Sequence, residues 1–260
     1  MGRRMARNGQ ADLAVGLTGA TPGRYPMTEL VGLPFVFPSA GSTSAVTSPR
    51  LTSLAPQYLA PEFQGLRILW FGVTPTNGFF TARREIKGPR DLKGLKMRFQ
   101  GEQHAKMLRA LGAVPLPIPP GEVADDMTKG VIDGAIFNYE AGESFGMASA
   151  THYVVEPSFV TASLGLVMNA GRYASLAGEL KAIIDATTGV GAAAALGRQW
   201  DAAEAHGREY MLAHKVPINQ MAPAELATMK AMLAPLVTGD VASLEKSGKP
   251  ARAFLAAYEA

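Results

Sequence analysis

The middle of the chain alternates short apolar runs with amphipathic stretches. Residues 95–99 alternate apolar and basic side chains, which predicts a strand, and residues 101–111 carry apolar side chains at helical spacing, which predicts a helix. A strand over 114–118, a helix over 122–129 and a strand over 131–137 follow by the same criteria. This alternation favours a parallel sheet with crossover helices.

Apolar runs bounded by turn residues predict more strands on both sides of this region. These strands cover residues 11–16, 67–73, 79–82, 153–157, 163–168 and 216–221. We expect the first of them to be buried, because all its residues except Asp12 are small or apolar. Proline and glycine separate the second strand from the third, and we interpret this break as the first crossing between two domains.

Helical spacing dominates the last third of the chain. Residues 173–215 are interrupted at 187–191, which predicts either two helices with a kink or one bent helix. Residues 223–237 and 241–258 predict two closing helices. The stretch 39–55 is rich in serine and threonine and indicates either a helix with a polar face or a surface segment.

Together these elements predict an α/β protein of two lobes joined by strand crossovers and a long helix. The length of 260 residues is enough for two modest domains. We assign residues 1–76 and 164–204 to lobe I, and residues 77–163 and 205–260 to lobe II.

Composition excludes several classes of function. The chain is 47% hydrophobic and 18% charged, as in ordinary globular proteins, and its formal net charge of +3 is too balanced to indicate nucleic-acid binding. It has no cysteine, which excludes disulfides and thiolate chemistry. No apolar stretch reaches the roughly 18 residues of a membrane span. Residues 1–7 are basic without an apolar stretch after them, so no signal peptide is predicted.

Arg98 and Asn138 lie at the carboxyl ends of two predicted strands. Ligands bind at that end of the strands in open α/β sheets. A guanidinium offers a forked and permanently charged set of donors that fits a carboxylate, and a nearby amide could orient the rest of a ligand. The alternation of apolar and basic residues around Arg98 is also compatible with a side chain in solvent.

Loose motifs extend over essentially the whole chain. The central ones are Asp91-Leu92-Lys93-Gly94-Leu95-Lys96-Met97-Arg98, Leu111-Gly112-Ala113-Val114-Pro115, Pro119-Pro120-Gly121-Glu122-Val123 and Gly130-Val131-Ile132-Asp133-Gly134. Residues 8–13, 29–37 and 180–185 fit the same pattern. Taken together, the motifs resemble the extracytoplasmic solute receptors of tripartite ATP-independent periplasmic (TRAP) transporters, the DctP type. The interval from Arg98 to Asn138 is the one expected between that family's carboxylate-binding arginine and its pocket asparagine.

The resemblance implies a periplasmic-binding-protein-like fold, with a ligand cleft between the lobes and a long connecting helix. It implies that the protein binds a small organic carboxylate, without catalysis, cofactor or metal, and closes by hinge bending. The partners would be the organic acid and the membrane subunits of a TRAP permease, with no nucleic acid. The location implied is periplasmic, or cytoplasmic if the chain truly starts at Met1 without a signal peptide. Arg98 would form a bidentate salt bridge with the carboxylate, and Asn138 would contact the solute or support Arg98.

Two residues directly after Asn138 are further candidates for the ligand site. Tyr139 could stack on an organic acid or form a hydrogen bond with it. Glu140 could accept a hydrogen bond from a ligand hydroxyl or balance the charge of Arg98.

Three more candidates come from elsewhere in the chain. Thr18 lies in the loop at the carboxyl end of the first predicted strand, where ordinary turn chemistry is the alternative. Phe79 is one of several phenylalanines near predicted strand ends. These side chains would either pack in the core or form the apolar wall of a pocket. Gly121 stands where some family members that bind large sugar acids have an aromatic residue, so their solutes do not transfer to this chain; a glycine there leaves room for a ligand.

The start of the chain departs from the family pattern. By resemblance, the first strand–helix–strand portion of lobe I is missing, and the chain begins at the end of the second helix. We therefore expect sheet neighbours without partners and uncovered apolar surface. A receptor fragment without function is one alternative that this departure raises.

A serine hydrolase that uses Ser144 is the other alternative. Residues 142–146 match Gly-x-Ser-x-Gly, and aspartates and histidines follow in hydrolase order. The motif requires the serine on a sharp turn directly after a strand, whereas four or five residues separate Ser144 from the predicted strand, which disfavours this function. Residues 189–194 match a dinucleotide fingerprint but follow a helix instead of a strand. The four histidines show no metal-binding spacing.

Overall fold

The computed structural model describes residues 2–37, 43–156 and 159–260. Its strands are β1 (Leu13–Leu17), β2 (Leu66–Val73), β3 (Gly78–Thr81), β4 (Lys96–Arg98), β5 (Val114–Leu116), β6 (Gly134–Phe137), β7 (Tyr153–Glu156), β8 (Ser163–Asn169) and β9 (Ile218–Gln220). Its α-helices are α1 (Gly2–Arg7), α2 (Ser44–Tyr58), α3 (Glu102–Ala110), α4 (Val123–Lys129), α5 (Tyr139–Ser144), α6 (Ala170–Ser175), α7 (Gly178–Thr187), α8 (Gly189–Ala213), α9 (Pro223–Lys246) and α10 (Ala251–Glu259). The predicted strands are present, most of them with shorter bounds, whereas β2 and β8 are each one residue longer than predicted and β3 is displaced by one residue. The stretch 39–55 is helical from Ser44, and residues 39–42 lie outside the described part, as does residue 157 of a predicted strand.

The first lobe contains a sheet of order β1-β8-β2, in which β8 pairs antiparallel with both neighbours. The prediction of a buried first strand is wrong, because β1 lies at the edge of this sheet. Leu13 and Val15 on β1 are 52% and 58% exposed.

The second lobe contains a sheet of order β5-β4-β6-β3-β7-β9. Strand β4 pairs parallel with β5 and β6, which confirms the crossover arrangement predicted for the middle of the chain. Strand β3 lies antiparallel between β6 and β7, so the sheet as a whole is mixed. Because β4, β5 and β6 run parallel, their carboxyl ends meet at one edge of the sheet.

Phe79 and Phe80, adjacent on β3, pack on opposite faces of this sheet. Successive side chains of a strand point to opposite faces. Phe79 accordingly packs in one core cluster, with Met97 and Leu108, and Phe80 packs in another, with Phe137.

The last two helices differ from the prediction in their bounds and in the lobe to which one of them belongs. Helix α9 continues through Gly239 to Lys246, so the predicted break at 238–240 is wrong; a single glycine is tolerated inside a helix at a cost of about 1 kcal/mol relative to alanine. Helix α10 packs Phe254 and Tyr258 into the core of the first lobe, although our division gave it to lobe II.

The predicted interruption near residue 188 is confirmed, since α7 and α8 meet there with a bend of 42°. Among the described residues, no single helix is both long and apolar enough to cross a membrane. The length and hydropathy of a membrane span are reached only when α7 and α8 are counted together across their bend.

Helix α8 contacts both lobes through two carboxylates. Asp201 accepts hydrogen bonds from the backbone N–H groups of Ser44 (2.7 Å) and Ala45 (2.8 Å), where α2 begins. Glu204, one turn later, accepts from the backbone N–H groups of Tyr139 and Glu140 (both 2.9 Å), where α5 begins. The first four N–H groups of a helix have no partners within it, so one connecting helix satisfies donors of α2 in the first lobe and of α5 in the second.

Candidate functional site

The lobes are joined by two chain crossings that run side by side. The backbone N–H of Thr74 donates to the carbonyl of Ala162 (2.8 Å), and that of Asn77 donates to the carbonyl of Val160 (2.9 Å). The Thr74 hydroxyl accepts from the N–H of Ala162 (2.9 Å). These bonds hold the two crossings side by side.

Arg98 ends β4, between β5 and β6, and it is buried at 3% exposure. The structure therefore excludes the solvent-facing alternative. Its Nη1 donates to the carbonyl of Ile136 (3.2 Å) and its Nε to the carbonyl of Ile118 (3.3 Å), and the guanidinium lies 4.3 Å from the centre of the Phe137 ring.

No carboxylate of the described residues forms an ion pair with Arg98. Burial lowers the pKa of its guanidinium to about 10, so the group is still charged at neutral pH. Carbonyl oxygens and an aromatic face stabilise a cation only in part. The guanidinium is thus a buried positive charge without a countercharge in the part of the chain that the structure describes.

Asn138 follows β6, and its amide is held by Glu204. Asn138 is 2% exposed, and its Nδ2 donates to Glu204 Oε2 (2.9 Å). A carboxylate only accepts, so the NH₂ group of Asn138 must face Glu204 and its carbonyl oxygen must point away. Burial raises the pKa of Glu204, whereas its hydrogen bonds from Glu140, Tyr139 and Asn138 lower it.

Glu204 was not among the site residues predicted from the sequence. Its spacing from Asp201 places both carboxylates on one face of α8, among alanines, and that pattern was available as a signal of a buried acidic pair.

Tyr139 and Glu140 already have partners within the protein. The hydroxyl of Tyr139 donates to Glu156. Glu140 accepts from Trp200 Nε1 (3.0 Å) and from the hydroxyl of Ser144 (2.9 Å). Tyr139 also lines an open hollow with Glu156 and Arg208.

Thr18 lies at a cavity between the lobes. Its hydroxyl is buried and bonds to the carbonyl and hydroxyl oxygens of Ser163 (3.1 and 2.5 Å). The cavity is narrow, with a volume of about 20 Å³, which is room for about one water molecule. The loop after β1, residues 29 and 32, residues 100–104 at the start of α3, and the crossing residues 161–163 line it.

The two lobes touch at a pair of glycines beside this cavity. A Cβ atom on Gly19 would lie 3.0 Å from Gly101 Cα, and one on Gly101 would lie 3.2 Å from Gly19 Cα. Side chains at either position would separate the backbones. This contact places the loop after β1 directly against the amino end of α3.

Phe79 and Gly121 are not brought to this cavity. The Phe79 ring is 1% exposed and lies 5.7 Å from the Phe159 ring in the core. Gly121 is exposed, and nothing lies within 4 Å of the position that a Cβ atom would take on it.

The positions of Ser144 and His206 do not form the catalytic site of a serine hydrolase. Ser144 is the last residue of α5, and its hydroxyl donates to Glu140 one turn earlier. His206 Nδ1 instead lies 2.8 Å from Glu143. Gly189 begins α8 after another helix, which also separates residues 189–194 from a dinucleotide motif. No cluster of three metal-binding side chains occurs in the described ranges.

A larger hollow along the described chain lies elsewhere, beside α1 and the exposed edge of β1. It is lined by basic residues that include Arg4, Arg7 and Arg24. Arg3, which also lines it, donates to the carbonyls of Gly16 and Leu17. Arg98, whose buried guanidinium lacks a countercharge among the described residues, is not one of the residues that line this hollow.

Glu29 is a buried carboxyl on the wall of the cavity between the lobes. Burial, reinforced by the nearby negative charge of Glu62, raises its pKa to about 7. The folded protein therefore holds this proton more tightly than the unfolded chain does, and the resulting stability is lost as pH rises from about 4.5 to 7.

We expect Glu29→Gln to remove this pH dependence. At pH 4.5 the variant and the wild type should have similar free energies of unfolding, and at pH 8 the variant should be more stable by up to about 3 kcal/mol. Urea denaturation across this pH range measures the difference. Asp125→Asn, at an exposed carboxylate, is the control and should keep the wild-type slope. An identical slope in Glu29→Gln would contradict the burial of a titrating carboxyl.

Comparison with known proteins decides the family. The family described as bacterial extracellular solute-binding protein, family 7 (DctP), matches residues 3–243. This chain belongs to that family. The DctP family comprises solute-binding proteins of transport systems and is not an enzyme class. The predicted family and the predicted α/β class are thereby confirmed.

Solved TRAP solute-binding proteins share the fold over nearly the whole chain. A TRAP solute-binding protein from Rhodoferax ferrireducens T118, in complex with copurified benzoate, has a TM-score of 0.91 at 31% identity and covers 99% of this chain and 80% of its own. A marine metagenome TRAP solute-binding protein specific for aromatic acids, co-crystallised with 3-hydroxybenzoate, has a TM-score of 0.90 at 30% identity, with 98% and 80% covered.

A relative known from its sequence is a solute-binding protein from Chromohalobacter salexigens. It is 28% identical over 148 residues, which are 56% of this chain and 44% of that protein. The matched region is therefore less than half the length of this relative.

Proposed function

We propose that this protein is the periplasmic solute-binding component of a TRAP transporter and holds a small organic carboxylate against Arg98, between its two lobes. The observation that carries the proposal is the buried guanidinium without a countercharge in the described chain. Asn138, fixed by Glu204, would present its carbonyl oxygen to the same solute. A membrane permease would receive the solute from the closed protein.

The donors of Arg98 that are still free suit a carboxylate. A guanidinium has five N–H groups, of which the bonds to Ile118 and Ile136 use one on Nε and one on Nη1. One N–H on Nη1 and both on Nη2 have no partner among the described residues. A fork of Nη1 and Nη2 is the geometry that binds both oxygens of a carboxylate.

The solutes of the two solved relatives support an aromatic acid as the first class to test. Benzoate and 3-hydroxybenzoate each carry one carboxylate on an apolar ring. A single carboxylate fits a site that offers a single buried arginine.

Thermal unfolding with and without acids tests this function. We expect benzoate to raise the melting temperature, since a ligand at 100 times its Kd contributes about 2.7 kcal/mol to stability. Benzamide is the matched control, because it has nearly the same shape without the charge, and it should give no shift. An absence of stabilisation by benzoate and by a panel of aliphatic acids would contradict the proposal and favour the alternative of a fragment without function.

Binding to a permease can be tested separately. The transporter's membrane subunits in detergent should retain this protein in the presence of the stabilising acid and lose it without the acid. Equal retention under both conditions would contradict delivery by the closed form.

A further inference from the structure

The hollow beside α1 and the exposed edge of β1 has a volume of about 480 Å³ and is lined by four arginines. Three of them belong to α1 and the fourth lies in the segment after β1; they are Arg3, Arg4, Arg7 and Arg24. The side chains of Val15, Tyr25 and Leu66 line the same hollow. It therefore combines concentrated positive charge with apolar surface.

The guanidinium groups of this hollow have no carboxylate partner among the described residues, whereas other arginines of the first lobe do. Arg67 Nη2 lies 2.7 Å from Asp185, and Arg172 Nε lies 3.5 Å from Asp12. Like charges three or four residues apart on a helix repel each other, and α1 carries such arginine pairs without an acidic residue in its first turn. A bound anion would relieve this repulsion.

Arg3 forms a fixed base of the hollow. It is 8% exposed, its Nη2 donates to the carbonyls of Gly16 (3.0 Å) and Leu17, and its guanidinium lies 4.5 Å from the centre of the Tyr25 ring. Its Nη1 is buried without a hydrogen-bond partner. The guanidinium of Arg24 lies 5.9 Å from the centre of the same ring, so Tyr25 holds two cationic groups of the hollow near each other.

Glu29 does not neutralise these charges. Its negative charge acts on Arg3 from a distance and raises the pKa of the guanidinium, against the larger opposing effect of burial. Burial raises the pKa of Glu29 itself to about 7, so this carboxyl is partly protonated at neutral pH, and it does not line the hollow. The positive charge of the hollow is therefore left for a ligand.

We propose that this hollow binds an organic phosphate, with the phosphate group against its arginines and the apolar part against Val15 and Leu66. A phosphate monoester carries about −1.5 to −2 charges at pH 7, and guanidinium groups bind its oxygens in a bidentate manner. A second copy of this chain is a poor occupant, because the same positive charges would face each other. The ligand is either a free organic phosphate or the headgroup of a phospholipid, which share this chemistry.

Calorimetric titration of the wild type with phenyl phosphate and phenyl sulfate tests the class of ligand. The two probes have nearly the same shape, but the sulfate carries only one negative charge. We expect one phenyl phosphate to bind per chain, about tenfold or more tightly than phenyl sulfate. The ionic strength is kept constant, because salt screens exposed charges.

Variants assign the binding to this hollow. Arg4→Ala/Arg24→Ala removes two exposed arginines of the hollow and should weaken the binding of phenyl phosphate about tenfold or more. Arg90→Ala/Arg252→Ala lowers the net charge equally at exposed positions outside the hollow and should bind like the wild type. Arg98→Ala should also retain the binding of phenyl phosphate, because Arg98 does not line the hollow.

Two further measurements locate the contact and identify the source of the phosphate. The ¹⁵Nε resonances of Arg4 and Arg24 in the wild type should shift on addition of phenyl phosphate, which tests the contact without any variant. Vesicles that contain phosphatidic acid distinguish the sources. Binding to these vesicles that is lost in Arg4→Ala/Arg24→Ala assigns the hollow to a phospholipid headgroup, and binding of phenyl phosphate alone assigns it to a free organic phosphate.

The outcomes separate this inference from the proposed function. An absence of saturable binding of phenyl phosphate, or equal affinity in the wild type and Arg4→Ala/Arg24→Ala, would overturn the inference and leave carboxylate binding intact. Loss of phenyl phosphate binding in Arg98→Ala would place the phosphate at the proposed carboxylate site, and it would also overturn the inference. A failure of every carboxylate to bind would instead refute the proposed function and leave the phosphate result unchanged.

Discussion

Replacement of Arg98 by alanine should abolish acid binding and leave the fold intact. The substitution would leave the buried carboxylate of the solute without a countercharge, and the loss of one partner of such a pair costs about 2–5 kcal/mol, which is from about thirtyfold to several thousandfold in Kd. Calorimetric titration with the acid that stabilises the wild type measures the loss. The melting temperature without ligand should change little, because the loss of the hydrogen bonds to Ile118 and Ile136 offsets the removal of an unpaired buried charge.

Two further variants make this result specific to the site. Arg98→Lys retains the charge and loses the planar fork, so it should bind the acid with an affinity between those of the wild type and of Arg98→Ala. Arg90→Ala removes an exposed arginine of the same lobe and changes the net charge equally, and it should bind like the wild type. Undiminished affinity in Arg98→Ala would show that the acid binds elsewhere.

Part of this candidate site could be predicted from the sequence, because strands and the polar residues at their ends are local signals. The alternation of residues 95–99 located β4, and the family motifs favoured a buried, ligand-binding Arg98 over a solvated one; the burial is confirmed, and the ligand-binding role stays a prediction. The spacing of apolar residues likewise located α3. What these residues contact depends on long-range packing, which local patterns do not encode.

The features that the sequence did not predict all depend on contacts between residues that are far apart in the chain. Glu204 holds Asn138 from 66 residues away, and the ring of His104, in the first turn of α3, lies against a carbonyl 57 residues away. Helix α10 joins the first lobe because Phe254 and Tyr258 pack there, although amphipathic spacing gives no partner. Strand β1 has the apolar composition of a buried strand but lies at a sheet edge, and composition alone does not distinguish the two.

Gly207→Ala should strongly destabilise the protein. Helix α8 approaches the start of α5 so closely that a Cβ atom on Gly207 would lie 2.4 Å from the carbonyl oxygen of Tyr139 and 2.8 Å from the backbone nitrogen of Glu140. Backbone atoms cannot rotate away as a side chain can, so the helices must separate and the bonds of Glu204 to α5 must lengthen. We expect a loss of about 3 kcal/mol or more in the free energy of unfolding, measured by urea denaturation.

The same helix supplies the control for this prediction. Gly191 also lies in α8, and a Cβ atom on it would have nothing within 4 Å, so Gly191→Ala should stabilise by about 0.5–1 kcal/mol through helix propensity alone. Gly197→Ala, whose Cβ atom would lie 2.4 Å from the carbonyl oxygen of Ser44, should resemble Gly207→Ala. Because Asn138 immediately precedes α5, Gly207→Ala should also weaken acid binding under conditions in which it is folded. Equal stability of Gly207→Ala and Gly191→Ala would show that α8 does not clamp α5 in solution, and the fixed orientation of the Asn138 amide would then lose its support.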